Sequence, residues 1–189
     1  MKILILGSTY LTEKCVEQLK IDGYELVGHI PSEKPTFPGT IYLPVVDESI
    51  PHDIKLSIQY DKKLTNIHNA YNLHTGLLPM YGGCDILYHT LKNKDAEQGL
   101  TLHKMGPRFD EGGIISKVTY PVQEGDTAPI LYQRMLTIAP KFLSAALRLI
   151  ETVDITTLPA IPPRLFKRGD IENMEVYKRD YEEIWNIVK

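Results

Sequence analysis

Three side chains in this sequence have the types needed to move a proton and hold a developing negative charge. They are the carboxamide of Asn72, the imidazole of His74 and the carboxylate of Asp110. A carboxamide donates to an oxyanion, an imidazolium stabilises the same charge or relays a proton, and a carboxylate holds the ring in its charged form. Together they suit acyl transfer onto an amine. Asn72 and His74 are two residues apart, so on an extended strand they share a face. The following Leu77-Leu78-Pro79 ends that strand and puts both near its carboxyl edge, where open α/β sheets bind ligands. Taken singly, each residue has a plainer reading. A histidine at a strand end is more often a hydrogen-bonded structural residue, an asparagine there is often a satisfied edge residue, and Asp110-Glu-Gly-Gly113 has the composition of a turn. Nothing local brings Asp110 to the other two.

The elements that must carry these residues follow from periodicity. Ile3 to Leu6 is a short apolar run closed by Gly7, as in a strand buried on both faces. Leu11, Cys15, Val16 and Leu19 fall at helical spacing before Asp22-Gly23, and Tyr24 to Ile30 reads as a second strand. This β-α-β opening predicts an α/β fold of the doubly wound kind. Residues 31 to 52 are broken by Pro31, Pro35, Pro38, Gly39 and Pro44 and read as loop where a fuller sheet would place a helix and strand. Ile54, Leu56, Ile58 and Tyr60 alternate as a half-buried strand. Further strands are expected at 70–74, 99–105 and 113–120, and helices at 86–92, 128–150 and 175–189, with Pro140 kinking or restarting the long one. A domain over 1–153 and a C-terminal extension over 154–189 with a terminal helix are expected, separated by the proline-rich stretch that includes Pro159, Pro162 and Pro163.

Composition narrows the class. A chain of 189 residues with 43% hydrophobic and 24% charged residues can bury a core as one ordinary domain. A net charge of −3, with no long run of like charge, argues against a nucleic-acid binder. The two cysteines, Cys15 and Cys84, form no CxxC pair, which points to a reduced, cytoplasmic protein without structural zinc. The six histidines show no HxxxH or HExxH spacing, so no metal is expected. The apolar run after Lys2 is too short for a signal peptide or a membrane span, and no membrane association is expected.

The motifs together resemble a known family. Asn72-x-His74-x-x-Leu77-Leu78-Pro79-x-Tyr81-x-Gly83, followed by Gly99-Leu-Thr-Leu-His103 and Asp110-x-Gly112-x-x-Ile115, is similar to the pattern of formyltransferases that use 10-formyltetrahydrofolate. The resemblance covers residues 54 to 150 throughout. It implies a Rossmann-like formyltransferase fold, with a trimmed, mostly parallel sheet and helices on both faces. It implies 10-formyltetrahydrofolate as cosubstrate and a small-molecule amine, most readily a nucleotide-linked amino sugar, as acceptor. Asn72 would donate to the formyl oxygen, His74 would be the cation beside it or the proton relay, and Asp110 would orient His74 and order water. The pterin pocket would lie between Tyr60–Leu64, including Lys62, and Gly106–Asp110, including Pro107, with Lys62 a partner for a folate carboxylate. Ser8, Thr9, Tyr81 and Gly83 are the candidate substrate contacts, although Ser8 and Thr9 read more simply as helix caps.

The chain departs from the family pattern in places. Thr75-Gly76 stands where a Pro-Ser pair is common, Gly7-Ser-Thr-Tyr-Leu11 lacks the phosphate-binding loop form of the ribonucleotide transformylases, and the helix expected between Leu64 and Asn72 has no room. His103 is expected to be structural, and Arg108 to pair with Asp110 or with a substrate anion. Tyr181 and Trp185 are candidates for a homodimer face, packing onto the domain being the simpler reading. The alternatives to amino-sugar formylation are glycinamide ribonucleotide transformylation, hydrolysis of formyltetrahydrofolate, and folate binding without transfer.

Overall fold

The computed structural model describes residues 1–152 and 158–188. In chain order the elements are β1 (Lys2–Leu6), α1 (Tyr10–Ile21), β2 (Glu25–Ile30), β3 (Ile54–Ile58), β4 (Ala70–His74), the short β5 (Gly82–Gly83), α2 (Ile86–Asn93), β6 (Glu97–Lys104), β7 (Ile114–Pro121), α3 (Ala128–Ile150), the short β8 (Leu165–Phe166) and α4 (Met174–Ile187). The expected boundary at 153/154 falls outside the described residues.

Six strands form one sheet in the order β2-β1-β3-β4-β6-β7. The pairs β1–β2, β1–β3 and β3–β4 are parallel, while β6 runs antiparallel to β4 and β7 antiparallel to β6. β1 lies between β2 and β3, so the carboxyl ends of β1, β3 and β4 open side by side at the edge where such sheets bind ligands.

The pleat divides the strand residues between two different environments. Ile3, Ile5, Leu56, Ile58, Leu73 and Leu102 point to one face and meet Leu11, Cys15 and Leu19 of α1 and Leu131, Met135, Leu143 and Leu147 of α3 in the main core. Leu4, Leu6 and Ala70 point to the other and meet Leu64, with Val46, Ile50, Tyr60, Ile67 and Met105 around them. The fold is the expected α/β class, but the helical layer belongs to one face: α1, α2 and α4 all contact α3. The second face is covered by Val46 and Ile50 of the 31–52 loop and by the loop of residues 59–69, while Phe37 of the first loop joins the main core. Five prolines break the first loop and the second is only eleven residues long, so the sheet is covered there by separate apolar side chains instead of a packed helix.

α3 continues through Pro140 without restarting. The ring removes one helical hydrogen bond, and the burial of Ala139, Pro140 and Leu143 against the core offsets that loss. α4 packs on α3, with the Tyr181 ring 4.6 Å and the Trp185 ring 6.3 Å from Phe37. The aromatic pair assigned to a dimer face or to packing is thus engaged in packing. Among the described residues no helix is long and apolar enough to cross a membrane.

Candidate active site

Alternation in β4 sends Tyr71 and Leu73 into the main core and leaves Asn72 and His74 on the loop-covered face. On that face Asn72 stands opposite His103 of β6, and His74 opposite Thr101. Asp110 arrives from the turn between β6 and β7. Its backbone is left-handed, with φ of 53°, and Gly112 follows with φ of 143°. A Cβ on Gly112 would lie 1.9 Å from the Lys104 carbonyl oxygen, so this tight return requires glycine.

The three predicted residues are brought together. Asp110 Oδ1 is 3.4 Å from His74 Nδ1 and 3.9 Å from His103 Nε2, while its Oδ2 accepts from the Gly83 backbone N–H at 2.7 Å. The other ring nitrogen of His74, Nε2, lies 2.6 Å from the Tyr81 carbonyl. The Tyr81 carbonyl can only accept, so Nε2 carries a hydrogen, and Nδ1 faces the Asp110 carboxylate. The ring is buried, and it stands behind Asp110 instead of lining the adjacent cavity.

His103, expected to be structural, belongs to the site. Its Nδ1 donates to the Lys104 carbonyl at 2.9 Å, because a carbonyl can only accept. Burial pushes the ring down to about 4, and the neighbouring His74 charge acts in the same direction. A neutral ring with its proton on Nδ1 presents Nε2 as an acceptor, so the Asn72 amide nitrogen donates to it at 3.2 Å. That bond fixes which end of the carboxamide is nitrogen. It uses one amide hydrogen and leaves the second for a ligand at the cavity wall. The signal in the sequence was the alternation of Gly99 to His103, which sets His103 and Thr101 on one face.

This neutral histidine makes the site acid-labile. The unfolded ring titrates near its ordinary value of about 6.5, and the folded one at about 4. Between these limits the unfolded chain binds more protons, so His103 adds stability above the upper limit and loses it progressively as pH falls to the lower one. Melting temperature measured across this range is expected to fall with acid, and less steeply in His103→Gln. Parallel curves for the two proteins would remove the assignment of a neutral buried ring.

The cavity beside these groups has a volume of about 520 Å³ and is lined by residues 62–65 and 105–110 with Ile67, Asn72 and His103. Of the predicted folate contacts, Lys62, Leu64, Gly106, Pro107 and Asp110 line it. Tyr60 instead packs with Leu4 and Leu6 beneath the loops. The Lys62 ammonium pairs with Glu33 at 2.8 Å. Arg108 pairs with Glu111 and not with Asp110, donating from Nε at 2.8 Å and Nη2 at 2.6 Å. This pairing holds the Glu111 carboxyl below its ordinary value.

The four predicted substrate contacts make internal bonds. Ser8 Oγ accepts from the Ser32 backbone N–H at 3.1 Å, and Thr9 caps α1 through a reciprocal bond with Thr12. The buried Tyr81 side chain engages Asp95 and Asn93, and Gly83 serves Asp110. Among the described residues, no group of three or more His, Cys, Asp or Glu side chains is placed to hold a metal ion.

A carboxamide and a carboxylate stand on the wall of a cavity, with an imidazole behind them at the carboxyl edge of an α/β sheet, an arrangement whose groups suit acyl transfer. Comparison with known proteins shows what the chain is similar to. The family model described as formyl transferase matches residues 62–147, a little under half of the chain. It is 36% identical over 81 residues to the bifunctional polymyxin resistance protein ArnA of Wigglesworthia glossinidia brevipalpis, a match covering 43% of this chain and 12% of that protein. It is 28% identical over 173 residues to methionyl-tRNA formyltransferase of Thermosipho melanesiensis, covering 76% of this chain and 57% of that one. The chain thus spans only part of the length of either relative. In fold it is similar to an N-formyltransferase from Helicobacter canadensis, solved with folinic acid and dTDP-3-aminofucose. That likeness has a TM-score of 0.74 at 20% identity and covers 91% of this chain and 72% of the other.

Proposed function

We propose that this protein transfers a formyl group from 10-formyltetrahydrofolate to a primary amine on a small molecule, the preferred acceptor being an amino sugar carried by a nucleotide. The observation that carries this reading is the convergence of Asn72, His74 and Asp110 beside a cavity of about 520 Å³. The folate-bound state and sugar nucleotide of the Helicobacter enzyme support the two substrates. The acidic balance of the chain disfavours a tRNA acceptor.

In the reaction the amine nitrogen attacks the formyl carbon, the carbonyl oxygen becomes an alkoxide, and the bond from carbon to N10 then breaks. The free N–H of Asn72, fixed by His103, donates to the alkoxide. The nitrogen of the amine must lose a proton and N10 must gain one. Asp110 Oδ1 stands at the cavity wall in contact with the His74 ring, so the pair can take that proton, directly or through water, and return it to the leaving nitrogen. The His74 ring sits behind the carboxylate, where its protonated form would stabilise negative charge gathering in the cavity. Lys62, Lys63 and Arg108 line the same cavity and suit the carboxylates of the folate tail.

The test is tetrahydrofolate release from 10-formyltetrahydrofolate, with and without a panel of amines, and with His74→Ala as control. Release that requires one amine and His74, with formyl gained by that amine, is the expected result. Release without any amine would make the protein a hydrolase, and folate binding without release across the panel would make it a binding module.

A further inference from the structure

We propose that Tyr81 and Phe166 are positioning residues for the His74–Asp110 pair, acting through the backbone of the segment between them. The proposal rests on the formyl-transfer reading for its kinetic consequence but not for its geometry.

Both groups of the pair touch one short stretch of backbone. His74 Nε2 donates to the carbonyl of Tyr81, and the N–H of Gly83 donates to Asp110 Oδ2. The stretch carrying that acceptor and that donor is β5 with the residue before it. A two-residue strand has no hold of its own, so something else must keep both atoms in place. The C-terminal segment does this. β5 pairs in parallel with β8, Gly82 N donates to the Arg164 carbonyl at 2.9 Å, and Cys84 N donates to the Phe166 carbonyl at 3.1 Å. The approach is close enough that a Cβ on Gly83 would lie 2.1 Å from the Phe166 carbonyl oxygen.

Side chains fix the same segment at both ends. The Tyr81 and Phe166 rings stack with centroids 5.1 Å apart and planes at 12°, and the Arg164 guanidinium covers the Phe166 ring at 4.7 Å. The Tyr81 hydroxyl donates to Asp95, and Asn93 donates to that hydroxyl at 2.6 Å. Tyr81 is thus tied to the end of α2 by its phenol and to the tail by its ring, while its carbonyl receives the catalytic imidazole. Misplacement of that carbonyl would let the His74 ring turn and would unseat Asp110 in the same movement.

The test uses the full chain with Phe166→Ala, Tyr81→Phe and, as a control for general loosening, Leu19→Ala in α1, on the main core away from the segment. Two readouts are taken. In turnover, kcat is expected to fall about tenfold or more in the first two variants, with KM for 10-formyltetrahydrofolate within about twofold, since a small displacement of a catalytic group acts on the chemical step. By proton NMR, the His74 Nε2–H resonance is expected to be protected from exchange in the parent and in Leu19→Ala, and lost or broadened in Phe166→Ala and Tyr81→Phe. Phe166→Tyr is expected to restore both. An unchanged kcat in Tyr81→Phe with the resonance intact would overturn the proposal, as would a loss of kcat matched by Leu19→Ala at equal loss of melting temperature. Should the parent show no turnover while the resonance still depends on Phe166 and Tyr81, the formyl-transfer reading fails and the clamp stands. If Phe166→Ala does not fold, Tyr81→Phe decides alone.

Discussion

Asn72→Ala, His74→Ala and Asp110→Asn are each expected to slow formyl transfer by at least about a hundredfold, the range typical of losing one positioned oxyanion donor. The causes differ, and so should the kinetics. Asn72→Ala removes the donor and leaves His103 Nε2 facing a vacancy in a buried site. Because the lost bond forms to the developing alkoxide, kcat should fall with little change in KM. His74→Ala removes the ring behind the carboxylate and leaves the Tyr81 carbonyl without its partner. Asp110→Asn keeps the shape, yet an amide offers one acceptor oxygen where the carboxylate offers two. Either the Gly83 N–H or the His74 Nδ1–H then meets an NH₂ group. Steady-state rates with the amine identified by the release assay check this, and two unaffected variants of the three would sink the assignment.

Lys55→Ala is expected to cost about 3 kcal/mol of stability, near the low end for breaking a buried ion pair because Glu48 is itself partly exposed. Lys55 lies in β3 with its side chain 2% exposed, beneath the loops. Its ammonium donates to Glu48 at 2.7 Å and to the Asn66 carbonyl at 2.6 Å. One cation thus ties both loops to the sheet, and the second of them forms a wall of the cavity. The same substitution is therefore expected to raise KM for 10-formyltetrahydrofolate more than it lowers kcat. Chemical denaturation and steady-state kinetics measure the two effects. A stable variant with an unchanged KM would mean that the loops hold their place without Lys55.

The strands were legible because their patterns are simple. The run Ile3 to Leu6 led directly to β1, and the two-residue spacing of Asn72 and His74 placed both on one face. The alternation from Ile54 to Tyr60 located β3, but that strand ends at Ile58 and is buried on both faces instead of one, because Lys55 and Ser57 lie beneath the loops. The approach of Asp110 was not legible locally. It depends on an antiparallel hairpin with an irregular register at Leu102/His103 and on two left-handed residues in its turn. The family resemblance supplied that contact in advance. It did not reveal that His74 stands behind Asp110, that His103 orients Asn72, or that Arg108 prefers Glu111. Those outcomes depend on which of several neighbouring partners lies nearer by an ångström or two. The one-sided helical layer was missed for a related reason: a break in periodicity shows that a helix is absent but not what covers the exposed sheet.

The unequal faces of the sheet divide the molecule into a half that must stay constant and a half that can vary. On the helical side a changed side chain disturbs packing shared by several elements. On the loop side Val46, Ile50, Leu64 and Ile67 cover the sheet, while β4 and the 105–110 turn carry Asn72, His74 and Asp110. A different ligand could therefore be accommodated by exchanging residues 59–69, whereas the 31–52 loop is held to the folding core by Phe37. Only the wall formed by residues 62–65 and Ile67 is separate from the segments that carry Asn72, His103 and Asp110, so it is the part of the cavity open to exchange.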